Sequence, residues 1–479
     1  MNKNTILIIG ARLIQILITL VSLRVMTSML MEKDLGLYYI LNSLYMLVSL
    51  FIINPFGQYF NRNTNNWNEK GVLYSKFLSF LKFTCFISAV YGMILYVLSL
   101  FSILHYSALV CFILGIYLFS LCLNQFLMHT LNLLEEKKIF AIMISGTALL
   151  SLIISYLLLT FKFSNLNEAL LWILGVSVSN ILFLIYGVIS LKNKLTIKGN
   201  NESFLNKEEN RKILSFVYPI AISTFFMWFL NSGYRFFIEN QMGLFYLGGF
   251  GVAFGVAAQI MAVFESLSTQ ILQPRLFKEI DSNNKIDREK HLNIYILDTI
   301  LIYFSVSVFV TCYIKYIFLT LIDNKFLTFS YIGMAAIWFE FFRAATNSIG
   351  MIAFSEKKTK LLIYPYVISA MILLVLLLVL SLFSNHYDFN RELLLPLSVV
   401  ISAVISFFAM ISVTLKNHRF KLNYAYIAKR VFVLFPIVFL ANFFPDFSEF
   451  NYYIIFYLML AAFLYVLILY VSIKFNRDK

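Results

Sequence analysis

Apolar runs long enough to cross a bilayer recur from one end of the chain to the other, separated by short polar segments. A spanning helix needs about 20 predominantly apolar residues at a rise of about 1.5 Å each. On that measure the pattern predicts six helices in the first part of the chain, over 5–30, 37–60, 76–101, 106–133, 139–161 and 168–191. A polar stretch from Lys192 to Lys212 follows. Eight more helices are predicted over 213–236, 244–273, 294–320, 329–354, 361–384, 392–415, 425–445 and 451–475, the thirteenth interrupted by Pro436. The first run continues from Thr5 to about Leu30 without a small-residue cleavage site, so a retained span is expected rather than a signal peptide. The expected fold class is an all-α polytopic membrane protein of about 14 transmembrane helices.

Composition sharpens this picture. Residues of the AVILMFWYC set make up 61% of the 479 positions, Phe alone supplies 51, and charged residues are only 13%. A soluble domain carries about 25% charge, so that class is excluded. The net charge of +14 is no sign of a nucleic-acid partner, because the cations cluster between the spans. With the N-terminus inside, cytoplasmic segments hold 28 of the 38 Lys and Arg residues, in clusters at Lys192–Lys212, Arg275–Lys290 and Lys416–Arg430. The outer loops hold five: Lys33, Lys162, Lys315, Lys325 and Arg391. By the positive-inside rule both termini are expected in the cytoplasm. The four cysteines, Cys85, Cys111, Cys122 and Cys312, all lie in predicted helices without a CxxC pair, and core packing is expected for each.

Two segments occur twice. Glu32-Lys-Asp-Leu-Gly-Leu-Tyr-Tyr39 between predicted helices 1 and 2 matches Glu239-Asn-Gln-Met-Gly-Leu-Phe-Tyr246 between helices 7 and 8. Glu136-Lys137-Lys138 before helix 5 matches Glu356-Lys357-Lys358 before helix 11. Their shared order predicts a six-helix repeat, and an even number of spans gives both copies the same orientation, with a substrate path between two lobes. The expected organisation is an N-lobe over 1–198 (helices 1–6), a cytoplasmic linker over 199–212, a C-lobe over 213–420 (helices 7–12) and two further helices over 421–479.

Charges inside spans carry the functional signal, because an Arg, Lys or Asp at a helix centre costs about 2.5–3.5 kcal/mol on insertion scales. Lys82 and Asp298 lie near inner helix ends, where snorkelling accounts for them. Glu340 and Arg343 are three apart on one helix face, which suits a local ion pair, and Glu265 is a further acid in helix 8. Arg24 lies far enough along helix 1 to reach the outer surface. Arg12, Gln15, Thr19 and Ser22 form one polar stripe on helix 1, and Thr224, Trp228, Asn231 and Arg235 form another on helix 7. Asn42, Tyr45 and Ser49 stripe helix 2, and Gln125, His129 and Asn132 stripe helix 4. Such stripes line a polar lumen or hydrogen-bond between helices. The candidate substrate contacts are therefore Arg12, Gln15, Arg24, Asn231, Arg235 and Arg343; a cationic lumen suits phosphate, whose oxygens match the planar donor fork of Arg. In helix 8, Gly248, Gly249, Gly251 and Gly255 with Ala258 and Ala262 predict a small-residue packing face.

No catalytic constellation, metal site or cofactor motif is found. The five histidines are scattered, HxxxH, HExxH and GxSxG are lacking, and the polar segments contain no GxxxxGK[ST]. A non-enzymatic transporter without a nucleotide-driven domain is expected.

One stretch carries a family resemblance. Tyr218-Pro219-Ile220, Trp228, Arg235-Phe-Phe-Ile, Gly243, Leu247-Gly248 and Pro274 resemble the polysaccharide-transporter branch of the MOP superfamily, which includes Wzx-type O-antigen flippases. Thr27 to Tyr38, the Gly57–Arg62 exit of helix 2 and Glu356-Lys-Lys-Thr-Lys360 are similar to that branch too. The resemblance implies a V-shaped, MATE-like two-lobe fold, alternating access, and an undecaprenyl-diphosphate-linked oligosaccharide as substrate. It also implies a bacterial plasma (inner) membrane location, contact with membrane lipids, and the polymerase and glycosyltransferases of the same pathway as partners. Where that branch commonly shows Asp-Arg at the end of helix 7, Tyr234 precedes Arg235; a frequent Arg near the end of helix 1 is Ser28 here. Helices 13 and 14 extend beyond a twelve-helix core, as in related lipid II flippases. Other functions stay open at this point: a lipid II flippase or MATE-like antiporter of the same fold, and, from another class, a polysaccharide polymerase or membrane acyltransferase.

Overall fold

The computed structural model describes residues 3–101, 106–162, 166–194, 207–280, 285–355, 359–383, 391–415, 438, 441–447 and 449–477. In order, the helices are α1 (Lys3–Met29), α2 (Glu32–Val48), α3 (Asn54–Glu69), α4 (Leu73–Leu100), α5 (Ala108–Leu133), α6 (Lys137–Phe161) and α7 (Glu168–Lys194). They continue with α8 (Lys207–Trp228), α9 (Tyr234–Ile280), α10 (Lys285–Leu321), α11 (Ser330–Ser355), α12 (Ile363–Phe383), α13 (Arg391–Leu415) and α14 (Tyr452–Arg477). Two π segments, Ser49–Ile53 and Phe229–Gly233, join α2 to α3 and α8 to α9. Helix satisfies every backbone group from within its own segment, which is what a chain must do in hydrocarbon.

Among the described residues ten helices are long and apolar enough to cross a membrane. The fourteen predicted helices map onto these with four differences. The run Ile213–Ser268 holds two predicted helices, α11 lies outside the set, and α14 contributes only a shorter apolar stretch, Tyr452–Tyr465. The predicted thirteenth helix falls mostly outside the described residues, as does most of the linker, and Glu356-Lys357-Lys358 and the cluster at Lys416–Arg430 lie wholly outside them. Large apolar side chains face outward along the spans, Phe86 at 66% and Phe112 at 64% exposure, as a lipid-facing surface requires.

The chain forms two compact units, Met1–Glu239 and Asn240–Lys479. In the first, α6 packs on α7 and α1, and α5 packs on α4 and α7. Its aromatic centre sets Phe126 against Phe80 (4.1 Å between rings) and Phe60 (4.7 Å), beside Trp67. The seventh predicted span, α8, packs here against α3 and the first π segment. Cys111 and Cys122 are buried as expected, whereas Cys85 is exposed on α4.

In the second unit α11 packs on α10 and α13, and α13 on α12. The predicted break between helices 7 and 8 is real: Gly243 sits at φ 80°, ψ 172° inside α9, a conformation only glycine adopts without strain. Lys315 and Asp446 pair at 2.6 Å, next to a ring contact between Tyr316 and Phe444 at 4.3 Å that ties the approach to α14 onto α10. The small face predicted on helix 8 packs closely. A Cβ on Gly249 would meet the Phe329 ring at 2.4 Å, so backbone and ring are in direct contact. Gly249→Ala is expected to destabilise the protein by about 1–3 kcal/mol through overpacking, read as a lower Tm in detergent. Phe329→Ala in the Gly249→Ala background should remove the clash, so the two losses should be less than additive.

Candidate anion-binding site

Arg235 is the second residue of α9, just after the second π segment, and its surroundings are built mainly by α2. Its Nη1 donates to Ser43 Oγ at 3.3 Å, and its guanidinium carbon lies 5.2 Å from the centre of the Tyr39 ring. Ser43 Oγ in turn donates to the Tyr39 carbonyl at 2.7 Å, so the hydroxyl's lone pairs are what it offers Arg235. The indole Nε1 of Trp228 donates to the Ser43 carbonyl at 2.9 Å. One level along, Ser232 Oγ and Met46 Sδ are 3.3 Å apart. A polar network backs this wall: Tyr117 Oη donates to Asn42 Oδ1 at 3.2 Å, and Cys122 Sγ lies 3.3 Å from Ser49 Oγ.

The chemistry of the seat is asymmetric. The hydrogen-bond and ring contacts of Arg235 are a neutral hydroxyl and an aromatic face, and its Nε is buried without a hydrogen-bond partner. A guanidinium carries five N–H donors and no acceptor. The seat therefore holds a charge with donors unspent, in a spanning segment where a counter-charge is worth more than in water.

The other predicted residues divide. Arg12 Nη1 donates to Gln15 Oε1 at 3.1 Å, and its guanidinium carbon sits 5.4 Å from the Phe140 ring centre, so the stripe predicted on helix 1 holds at those two residues. Both are half-buried, and both belong to the same compact unit as Arg235. Arg24 is half-buried in the last turns of α1, its carbonyl accepting from Thr27 Oγ1 at 3.0 Å. Asn231 is half-buried within the second π segment. Arg343 differs from all of these: its Nε donates to Glu340 Oε2 at 2.7 Å and its Nη2 to Glu265 Oε2 at 2.8 Å. The local pair expected from the spacing is present, and a third member from α9 completes it. Its guanidinium is thus held by two carboxylates, not offered as an open charge.

Three participants escaped the sequence reading. Ser43 and Tyr39 lay off the stripe drawn on helix 2, and Glu265 was named only as an isolated acid. The one sequence signal for the distorted wall is Asn54-Pro55 in the middle of an apolar run, where proline interrupts the helical hydrogen-bond ladder.

No protein-family profile matches the sequence, and no curated protein matches it either. Its fold, however, is shared by solved structures. A lipid II flippase MurJ in an inward closed conformation matches with a TM-score of 0.71 at 13% identity, over 99% of this chain and 99% of that chain. An inward-facing structure of a multidrug resistance MATE family transporter of the MOP superfamily matches at TM-score 0.52 and 13% identity, over 86% of this chain and 98% of that one. An outward-facing MATE structure matches at TM-score 0.51 and 13% identity, over 86% and 95%. The class is therefore that of a multi-pass, all-helical membrane protein. Within that class the fold is the one shared by MurJ and the MATE transporters, all structures of transporters rather than enzymes.

Proposed function

We propose that this chain is a flippase that carries undecaprenyl-diphosphate-linked oligosaccharide repeat units, of O-antigen or capsule type, from the cytoplasmic to the outer leaflet of a bacterial inner membrane by alternating access, with both termini cytoplasmic. The observation that carries the reading is the Arg235 seat: a guanidinium in a spanning segment among neutral partners, with a buried Nε unspent. Such a group favours an anionic ligand and forms short, charge-assisted hydrogen bonds with phosphate oxygens. Arg12 with Gln15 supplies a second cationic station on α1, Arg24 of α1 and Asn231 of the second π segment are further contacts, and the diphosphate meets the stations in succession. The sugar chain and the polyprenyl tail follow from the sequence resemblance to the polysaccharide-transporter branch. The polymerase and glycosyltransferases of the pathway are the proposed functional partners.

A second reading, a lipid II flippase, is favoured by one observation: the match to MurJ extends over 99% of both chains, including the last helix. One experiment separates the two. In a deletion strain without a redundant flippase, lipid-linked repeat units should accumulate at the inner leaflet while their synthesis continues. Normal delivery of those units together with trapped lipid II would favour the second reading; normal delivery of both would remove the flippase assignment.

A further inference from the structure

The hydrogen-bond register changes inside the run Glu32–Glu69. The amide of Asn54 donates to the Ser49 carbonyl, five residues back, which is the π register. In that register the amide of residue 55 would serve the Leu50 carbonyl. Residue 55 is proline, placed at the start of α3, and it has no N–H to give. Leu50 O is thus deprived of its ladder donor inside a membrane-spanning run, where an unserved carbonyl is strongly disfavoured.

Thr224 of α8 lies opposite. Its Oγ1 is 2.8 Å from Leu50 O. The same hydroxyl is 2.9 Å from Ile220 O and 3.1 Å from Ala221 O, but it has one proton to donate. Those two carbonyls lie within the helical ladder of α8, whereas Leu50 O has lost its own donor. The proton belongs on Leu50.

We infer that Pro55 and Thr224 form a latch that fixes how far along α2 the helix α8 sits, making Thr224 a positioning residue for Arg235. The inference rests on reading the Arg235 seat as a substrate contact. From the latch, the run that continues α8 through the second π segment into α9 makes the contacts of Trp228 to Ser43, of Ser232 to Met46 and of Arg235 to Ser43. The bond of Trp228 goes to a backbone carbonyl and can be remade one turn away, where α2 presents another; those of Ser232 and Arg235 go to the side chains of Met46 and Ser43. The Leu50 vacancy occurs once, and among these contacts it alone offers α8 a backbone acceptor that the ladder leaves unserved.

The test reads the seat of α8 without transport. Met46→Cys and Ser232→Cys are introduced into a chain whose four native cysteines are alanine, and the rate of disulfide formation under copper phenanthroline is measured on monodisperse protein. Thr224→Val keeps the shape and removes the donor, and should slow crosslinking about tenfold, the scale of one orphaned buried carbonyl. Thr224→Ser keeps the donor and should crosslink at the parent rate. Pro55→Ala restores an N–H for Leu50, so Thr224→Val added to Pro55→Ala should change the rate little. Parent-like crosslinking by Thr224→Val, or an equal loss in both backgrounds, would overturn the latch. A working latch in a protein whose export is indifferent to Arg235 would instead sink the substrate reading and leave the latch standing.

Discussion

Arg235→Ala is expected to reduce delivery of the lipid-linked substrate roughly 10- to 150-fold at matched membrane expression, the equivalent of losing one charge-assisted contact of about 1.5–3 kcal/mol. The expectation follows from how the guanidinium is held. Its described partners are Ser43 Oγ and the Tyr39 ring, neither of which cancels its charge, and its Nε is unspent. Arg235→Lys keeps the charge without the fork and should recover part of the loss. Ser43→Ala removes the hydroxyl that orients the guanidinium while leaving the charge, and should produce a smaller loss than Arg235→Ala. The measurement is complementation of surface polysaccharide in a deletion strain, with lipid-linked intermediates quantified beside it. Arg12→Ala belongs in the same series, since Arg12 is held only by Gln15 and the Phe140 ring in its recorded contacts. Full activity in both alanine variants would mean that the two arginines are structural, and the flippase reading would lose its anion site.

What the sequence made legible is what depends on solvent and on short-range geometry. Long apolar runs locate the spans because backbone in hydrocarbon must be helical, and Gly243 marks the break between helices 7 and 8 because a positive φ favours glycine. The pair Glu340–Arg343 follows from a spacing of three on one helix. The remainder depends on long-range packing or on departures from ideal helix. Glu265 reaches Arg343 from α9, 78 residues earlier, and periodicity within one helix carries no information about that. The stripe on helix 7 assumes about 100° per residue, which holds for α but not for the wider π turn at Phe229–Gly233. The recorded contact with Met46 is accordingly made by Ser232, next to the Asn231 that the stripe selects. Lys76 shows the same limit for charge counting. Counted by sequence among the 28 cytoplasmic cations, it is 2% exposed, with its ammonium 5.7 Å from the centre of the Trp67 ring.

The largest stability effect is expected at Arg343. Its side chain is 22% exposed, that of Glu265 25% and that of Glu340 7%, and the two ion-pair distances are 2.8 and 2.7 Å. Desolvating three charges is unfavourable, and mutual attraction with good geometry offsets much of it. The cluster as a whole therefore contributes little compared with a neutral replacement, but its members are strongly interdependent. Arg343→Met leaves two carboxylates close together without their cation, so it should destabilise the protein by about 3–5 kcal/mol, the scale seen when one partner of a buried pair is removed. Adding Glu265→Gln and Glu340→Gln removes the stranded charges, and the triple variant should regain most of that loss. Glu265→Gln alone should be mild, because Arg343 keeps Glu340 at 2.7 Å as a counter-charge. Thermal unfolding of the purified protein in detergent, followed by tryptophan fluorescence, orders these variants. A triple variant no more stable than Arg343→Met would show that the arginine acts through packing of its stem rather than through its charge.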